Sequence, residues 1–432
     1  MIRSSKPTAL SPHRRAWEVP LLASLIAAAI WAACFYFPLA WTLTGIGEAD
    51  KPFLDLQGLL AAGEVAQQGI DPYLNNPLDP YHRPHVYTEW WLFSGALGLT
   101  RADTVCLGVL LLAITLASAA LLLLPRNWRE GRLLILVLAS PPLLMAISRA
   151  NNDLVVFALM CGALACLRQA PPVSRALGVI LLALSAVLKY FPLAAGLILL
   201  DARTRREFLG WCLLYGLVLV LAWPSLAHGL ENAFKKAPSP EWLYAFGAPV
   251  LFRDFNLAAP VGWLLVGFLA ITAGASWPAI NAARTAPPEE TATRDLQREY
   301  ACGAVMVVGC FVHGSSYVYK MVFALWLLPW LWRAKLPATE ARWGKVTQGL
   351  LVAVLWFEGS AAILINIGVF SALLLPLTAN RMLEAALVIS QLLTWALVAC
   401  LWRALLIYTA RQLSNLMSPL QPAPLAATEH HV

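Results

Sequence analysis

The chain alternates long apolar runs with short polar connections. The runs are Val19–Leu43, Thr104–Leu124, Leu133–Ile147, Asp153–Leu167, Ala176–Leu200, Leu209–Leu226, Leu257–Ile280, Tyr300–Val312, Met321–Trp332, Val346–Phe370 and Ala385–Leu406. A straight membrane helix needs roughly 20 such residues, and several runs are shorter. Short spans are common where helices break around a cavity. The first run follows Arg14-Arg15 and is too long for a signal-peptide core, so it reads as an uncleaved span. Between the first two runs, Phe53 to Gln68 sets Leu56, Leu59, Leu60 and Gly63 at helical spacing. That pattern predicts a helix lying along the membrane surface.

One run is interrupted. Lys189-Tyr190-Phe191-Pro192 sits inside Ala176–Leu200. A lysine at membrane depth costs on the order of 2.5–3.5 kcal/mol, so it must face a polar cavity or an anionic partner. Proline removes a helix hydrogen bond that lipid cannot replace. The two together predict a broken helix beside a site for something negative, most plausibly a lipid phosphate. A rival structural reading pairs Lys189 with Glu358, an acid inside a late apolar run.

Orientation follows from the basic residues. With the N-terminus inside, segments 1–18, 126–132, 168–175, 201–207, 281–298, 333–345 and 403–432 hold 21 of the 31 lysines and arginines. This is the bias of cytoplasmic loops. It requires Ala176–Leu200 to enter and leave on one side, as a hairpin of two short helices with Lys189 and Pro192 at its tip. A single kinked span is the competing reading. The expected fold is an all-α polytopic membrane protein, a bundle of about 12 transmembrane helices. The membrane domain is 19–410, with 1–18 and a disordered 411–432 tail in the cytoplasm. Two outer loops are long, 44–89 and 228–256, and the membrane is the cell's inner (plasma) membrane. Long ordered loops in a compact protein are usually functional.

Composition sharpens this picture. Hydrophobic residues make up 59% and charged residues 13%, against roughly 25% charged in soluble domains. The net charge of +7 sits in short loops between apolar runs, as orientation signals do, so it does not indicate nucleic-acid binding. The eight cysteines show no C-x-x-C spacing and lie almost entirely in apolar runs. They read as small apolar packing residues rather than metal ligands or disulfides.

The candidate chemistry lies on the outer face. Asp55 stands at the start of the predicted surface helix, surrounded by Phe53, Leu54 and Leu56. That setting implies a partly buried carboxylate able to act as a general base toward a hydroxyl. Gly69-Ile70-Asp71-Pro72-Tyr73 reads as the turn that ends the helix. Arg149-Ala150-Asn151-Asn152-Asp153 joins two runs; Asn152 either caps the next helix or lines an outer cavity. His313 to Lys320 closes another outer turn, where Tyr317 and Tyr319 suit an interfacial anchor and His313 and Lys320 suit a phosphate. Glu358 should face a cavity or a cation.

The order of these elements carries a family resemblance. An early outer aspartate (Asp55), G-x-x-P-Y (Gly69, Pro72, Tyr73), N-N-D (Asn151, Asn152, Asp153), K-x-x-P (Lys189, Pro192) and Y-x-x-K (Tyr317, Lys320) follow one another over about residues 20–375. This resembles the GT-C glycosyltransferases of family 87, the polyprenyl-phosphate-mannose-dependent mannosyltransferases related to the mycobacterial phosphatidylinositol-mannoside enzymes. The resemblance implies a GT-C-like multi-span fold, a polyprenyl-phosphate sugar donor, and Asp55 as the base. It matches Lys189 to the K-x-x-P lysine. Two departures touch the sugar and acceptor pockets. Many relatives carry Y-P-P where this chain has Tyr87-Thr88-Glu89-Trp90-Trp91, and G-Q-x-N where it has Ala150-Asn151-Asn152-Asp153.

The reaction expected on this basis is an inverting sugar transfer to a lipid or glycan acceptor. Asp55 takes the acceptor proton, and Lys189, Arg149, His313 and Lys320 stabilise the departing phosphate. Tyr73, Asn152, Asp153, Tyr317 and Glu358 line the acceptor side. A single phosphate on the leaving group weakens the need for a metal, and no D-x-D motif is present, so no cofactor is expected. Two other classes fit broken helices and outer cations. A secondary transporter or flippase should show two repeated halves, which this chain lacks. A lipid-linked oligosaccharide polymerase or ligase carries its large loop late, whereas here the longest outer loop is first.

Overall fold

A computed structural model describes residues 17–37, 51–236, 244–254, 260–286, 291–334, 338–372 and 376–417. Expectations for the N-terminal segment, for parts of both long loops and for the tail beyond Met417 fall outside these residues.

The described chain is almost entirely helical. In order, the longer helices are α1 (Glu18–Tyr36), α2 (Leu54–Gln67), α3 (Thr104–Leu123), α4 (Trp128–Leu138), α5 (Pro141–Ser148), α6 (Asp153–Arg168) and α7 (Pro172–Leu188). There follow α8 (Arg205–Leu221), α9 (Trp223–Lys236), α10 (Val261–Thr285), α11 (Thr291–His313), α12 (Ala338–Ala372) and α13 (Pro376–Met417). Two long 3₁₀ segments, Phe191–Asp201 and Val318–Leu327, interrupt the α-helical pattern. Helix α13 carries the chain helically through 411–417, so these residues do not belong to the disordered tail expected from 411.

Among the described residues, four helices are long and apolar enough to cross a membrane: Glu18–Tyr36, Arg101–Leu123, Val261–Thr285 and Glu384–Met417. The number rises to six if α4 with α5, bent by 57°, and α8 with α9, bent by 68°, each count as one span. The architecture is that of an α-helical membrane protein. Fewer helices reach spanning length than the apolar runs suggest, because proline and 3₁₀ geometry cut several runs into pieces. Pro141 and Pro142 open α5, Pro172 opens α7 and Pro192 is the second residue of the first 3₁₀ segment.

The interrupted run is a hairpin. Helix α7 ends at Lys189, whose backbone is extended (φ −152°, ψ 115°), and the 3₁₀ segment Phe191–Asp201 returns against α7. Arg175 near the start of α7 pairs with Glu207 at the start of α8 at 2.5 Å, so the two open ends of the hairpin lie side by side. Proline cannot donate a backbone hydrogen bond. The Leu188 carbonyl, which residue 192 would serve in a continuous helix, instead accepts from the Trp91 indole at 2.9 Å.

Helix α11 is the central post. It packs on both 3₁₀ segments and on α13. Its N-terminal half is riveted to the hairpin, where Arg294 and Arg298 both grip the buried Asp201 carboxylate, and to the end of α6, where Arg168 pairs with the buried Glu299. Its C-terminal end stops at His313 because Gly314 takes φ +142°, which glycine adopts freely. A two-residue antiparallel pairing then forms, Ala245 opposite Tyr317 and Phe246 opposite Ser316. Gly247 sits so close to Gly314 that a Cβ there would lie 2.0 Å from its carbonyl oxygen. This contact ties the segment around Gly247 to the turn that leads to Lys320.

Candidate functional site

Asp55 is positioned by backbone interlock. Phe53 starts α2 in the left-handed region (φ 61°), and its ring fills space above Gly108 of α3 that any Cβ would occupy. The Phe53 amide donates to the Ser148 carbonyl at 2.7 Å, and the Asp55 amide to the Arg149 carbonyl at 3.0 Å. The Asp55 and Arg149 side chains thus meet by construction, although 94 residues separate them.

Around the Asp55 carboxylate every acceptor position is taken. Arg149 donates from Nε to Oδ2 at 2.9 Å and from Nη2 to Oδ1 at 2.8 Å. Asn151 donates to Oδ2 at 2.7 Å, and Arg83 to Oδ1 at 3.2 Å. Burial alone would raise this carboxyl; the guanidiniums of Arg149 and Arg83 and the Asn151 amide outweigh it and hold Asp55 below the ordinary carboxylate range. Arg83 is itself anchored to Asp79, through Nε at 3.1 Å and Nη2 at 3.0 Å.

These groups open onto a cavity of about 350 Å³ between the hairpin tip, the loop that follows α2 and the turn after α11. Of the sequence candidates, Asp55, Arg149, Lys189, His313, Tyr317 and Lys320 all line it. Arg149 lies 5.7 Å from the centre of the Tyr317 ring, a cation–π contact.

Lys189 and Lys320 differ sharply in company. Lys189 forms an ion pair with Asp153 at 2.6 Å and donates to Asn152 Oδ1 at 2.6 Å and, more weakly, to Asn151 Oδ1 at 3.4 Å. Its partner is therefore Asp153 from the adjoining N-N-D stretch. It is not unpaired, as a pure phosphate ligand would be. Lys320 is as deeply buried, with 7% of its side chain exposed. Among the described residues it makes no hydrogen bond and meets no carboxylate; its ammonium lies 4.6 Å from the Phe191 ring and borders the cavity.

Several expectations need correction. Asn152 occupies the N-cap position of α6 but makes no capping bond, because its side-chain oxygen serves Lys189. Asn152 and Asp153 do not line the cavity: both are buried behind Lys189 and brace it. Tyr73 is also behind the wall. Its hydroxyl donates to the Tyr87 carbonyl at 2.9 Å, and its ring packs on His85 and His228, so it shapes the loop that presents Arg83 and Tyr87. Glu358 lies in α12, and its side chain falls outside the described residues.

Arg83, Asp79, Asn151, Tyr87 and Tyr319 were not singled out as site residues. Arg83 had a usable signal, since an arginine in an outer loop runs against the bias that otherwise orients the chain. His85, buried beside Tyr73 and Tyr87, is pushed down to about 4, chiefly by burial and also by the neighbouring His228, so it is neutral at physiological pH. Among the described residues no cluster of His, Cys, Asp and Glu could hold a metal ion. The described cysteines are all unpaired.

No protein family, curated protein or solved structure matches this chain.

Proposed function

We propose that this chain is an integral-membrane glycosyltransferase, by resemblance a mannosyltransferase. It moves a sugar from a polyprenyl-phosphate-sugar donor to a lipid or glycan acceptor on the outer face, with inversion. In this reading about 12 membrane helices, short and broken ones included, cross or enter the plasma membrane, and both termini are cytoplasmic.

The observation that carries the reading is Lys320: a buried lysine with no carboxylate partner among the described residues, at the wall of the cavity that Asp55 also lines. A desolvated, unpaired cation is costly unless a ligand supplies the anion. With Asp153 just behind the wall, four cations (Arg83, Arg149, Lys189, Lys320) face three carboxylates (Asp55, Asp79, Asp153). One positive charge is left over, which a donor phosphodiester with one negative charge would neutralise.

The chemistry then follows. The acceptor hydroxyl oxygen bonds to the anomeric carbon while the bond from that carbon to the phosphate oxygen breaks. Asp55 takes the hydroxyl proton and later gives it to solvent. Polyprenyl phosphate leaves with the bonding electrons and gains a negative charge. Lys320, with Arg149 and His313 beside the same cavity, meets that growing charge.

The test is transfer of radiolabelled mannose from polyprenyl-phosphate-mannose in membranes of expressing cells. Asp55→Asn should lower the rate by about 10²–10⁴-fold, the usual worth of a general base, with an unchanged melting temperature. Residual activity above about a tenth of wild type would remove Asp55 from the role. No transfer from this donor by the wild-type protein would remove the donor class.

A further inference from the structure

The saturated carboxylate poses a problem that the proposed reaction must solve. A carboxylate offers about four lone-pair positions, and Arg149, Arg83 and Asn151 fill four at Asp55. An acceptor hydroxyl has nowhere to donate its proton while this holds. One partner must leave, and the geometry identifies which. Asn151 is fully buried, and its own side-chain oxygen is committed to the Asp153 amide at 2.9 Å. Arg83 is tethered to Asp79 by two bonds and to the Leu54 carbonyl by a third, so it has little freedom to move. Among the described residues, Arg149 has only Asp55 as a hydrogen-bonding partner for its side chain. It is one-fifth exposed on the cavity side and keeps a cation–π contact with Tyr317 on that wall.

We propose that Arg149 is a shuttling guanidinium: in the empty site it blocks Asp55, and when the donor binds it transfers to the phosphate and frees the carboxylate for the acceptor. This inference rests on the donor reading above and adds a binding order to it, donor before acceptor. Arg83, held by Asp79, stays behind and keeps the freed carboxylate in place. A water-filled cavity without donor then contains no competent base. A bidentate guanidinium suits such an exchange, because carboxylate and phosphate present the same fork of two oxygens.

The exchange makes an unusual prediction, that removing the catalytic carboxylate tightens donor-anion binding. The probe is farnesyl methyl phosphate, an inert phosphodiester with one charge, titrated against the detergent-solubilised full chain. Asp55→Asn should bind it about tenfold more tightly than wild type, because the probe no longer competes with Asp55 for Arg149. A general change in site charge would give some gain too, so the decisive comparison is a double-mutant cycle. In an Arg149→Gln background the same Asp55→Asn change should gain less than about twofold. An equal gain in both backgrounds, or weaker binding by Asp55→Asn, overturns the shuttle and leaves the anion site standing. No binding by wild type or any variant sinks the donor reading itself, and the shuttle with it. A second measurement needs no variant. With wild type, polyprenyl phosphate should inhibit competitively against donor, and glycosylated product should not be competitive against acceptor. Competitive inhibition by glycosylated product against acceptor would indicate random binding and overturn the order.

Discussion

The hairpin tip and the turn after α11 are built alike and behave differently. In each, an α-helix stops, a few residues intervene, and a long 3₁₀ segment begins: Leu188, then Lys189-Tyr190, then Phe191–Asp201 in one; His313, then Gly314 to Tyr317, then Val318–Leu327 with Lys320 inside it in the other. Each presents a lysine to the same cavity, 6% exposed at Lys189 and 7% at Lys320. Lys189 is enclosed by Asp153, Asn151 and Asn152. Among the described residues, Lys320 has only the face of Phe191. Equal burial with unequal pairing means that the two charges answer different demands. A paired buried charge fixes the protein's own geometry; an unpaired one at a cavity wall is kept for something that enters.

Breaking the first lysine should therefore cost stability. Lys189→Met leaves the Asp153 carboxylate fully buried, and among the described residues it has no other hydrogen-bonding partner. Stranding a buried charge destabilises by on the order of 3–5 kcal/mol. The melting temperature of the purified variant should fall by many degrees, and Lys189→Met/Asp153→Leu should recover most of the loss. A variant as stable as wild type would mean that Asp153 finds another cation or a proton.

Breaking the second should cost binding instead. Lys320→Met removes a desolvated charge without orphaning an acid, so the empty protein should be as stable as wild type or more so. Affinity for polyprenyl phosphate should drop about tenfold or more, the size of one lost charge-assisted contact. Lys320→Arg should restore it only partly, since the guanidinium differs in shape and reach. If Lys320→Met melts several degrees early with unchanged affinity, the two lysines share a structural role and the contrast fails.

Parts of this contrast are legible in the chain. The break at Lys189-Pro192 shows because a charge and a proline interrupt an apolar run, and the hairpin shows because basic residues flank both of its ends. Asp55 shows because apolar neighbours imply burial. The counter-ions do not show. Asp153 looks like the first residue of a helix, and nothing in N-N-D says that its charge points back to a lysine 36 positions on, across the α6–α7 turn. Arg83 and Asp79 lie in a loop without periodicity, where pairing depends on how the turn after Gly69 folds back (φ +77°). Tyr73 looked like a cavity residue because its motif sits on the outer face; which side of a loop a ring takes is decided by packing. Span number was also harder to read than helix position, since apolar length does not reveal where a run bends or becomes 3₁₀.

The smallest test sharpens the hairpin side of the comparison. Pro192 leaves the Leu188 carbonyl without the amide a continuous helix would offer, and the Trp91 indole fills the gap at 2.9 Å from the preceding outer loop. The bond also moors Glu89–Leu92 to the hairpin tip, beside the cavity residue Tyr87, whose ring lies 5.4 Å from Lys189. Trp91→Phe keeps most of the apolar contact and removes only the donor, so the loss should be about 1–3 kcal/mol, that of one unsatisfied carbonyl. Trp90 is the internal control, being exposed and without such a bond among the described residues; Trp90→Phe should change stability by less than about 0.5 kcal/mol. Both variants keep Lys189 paired with Asp153, so neither should approach the loss expected for Lys189→Met. If Trp91→Phe and Trp90→Phe melt together, the carbonyl at the break is satisfied in some other way, and the loop is not moored through the indole.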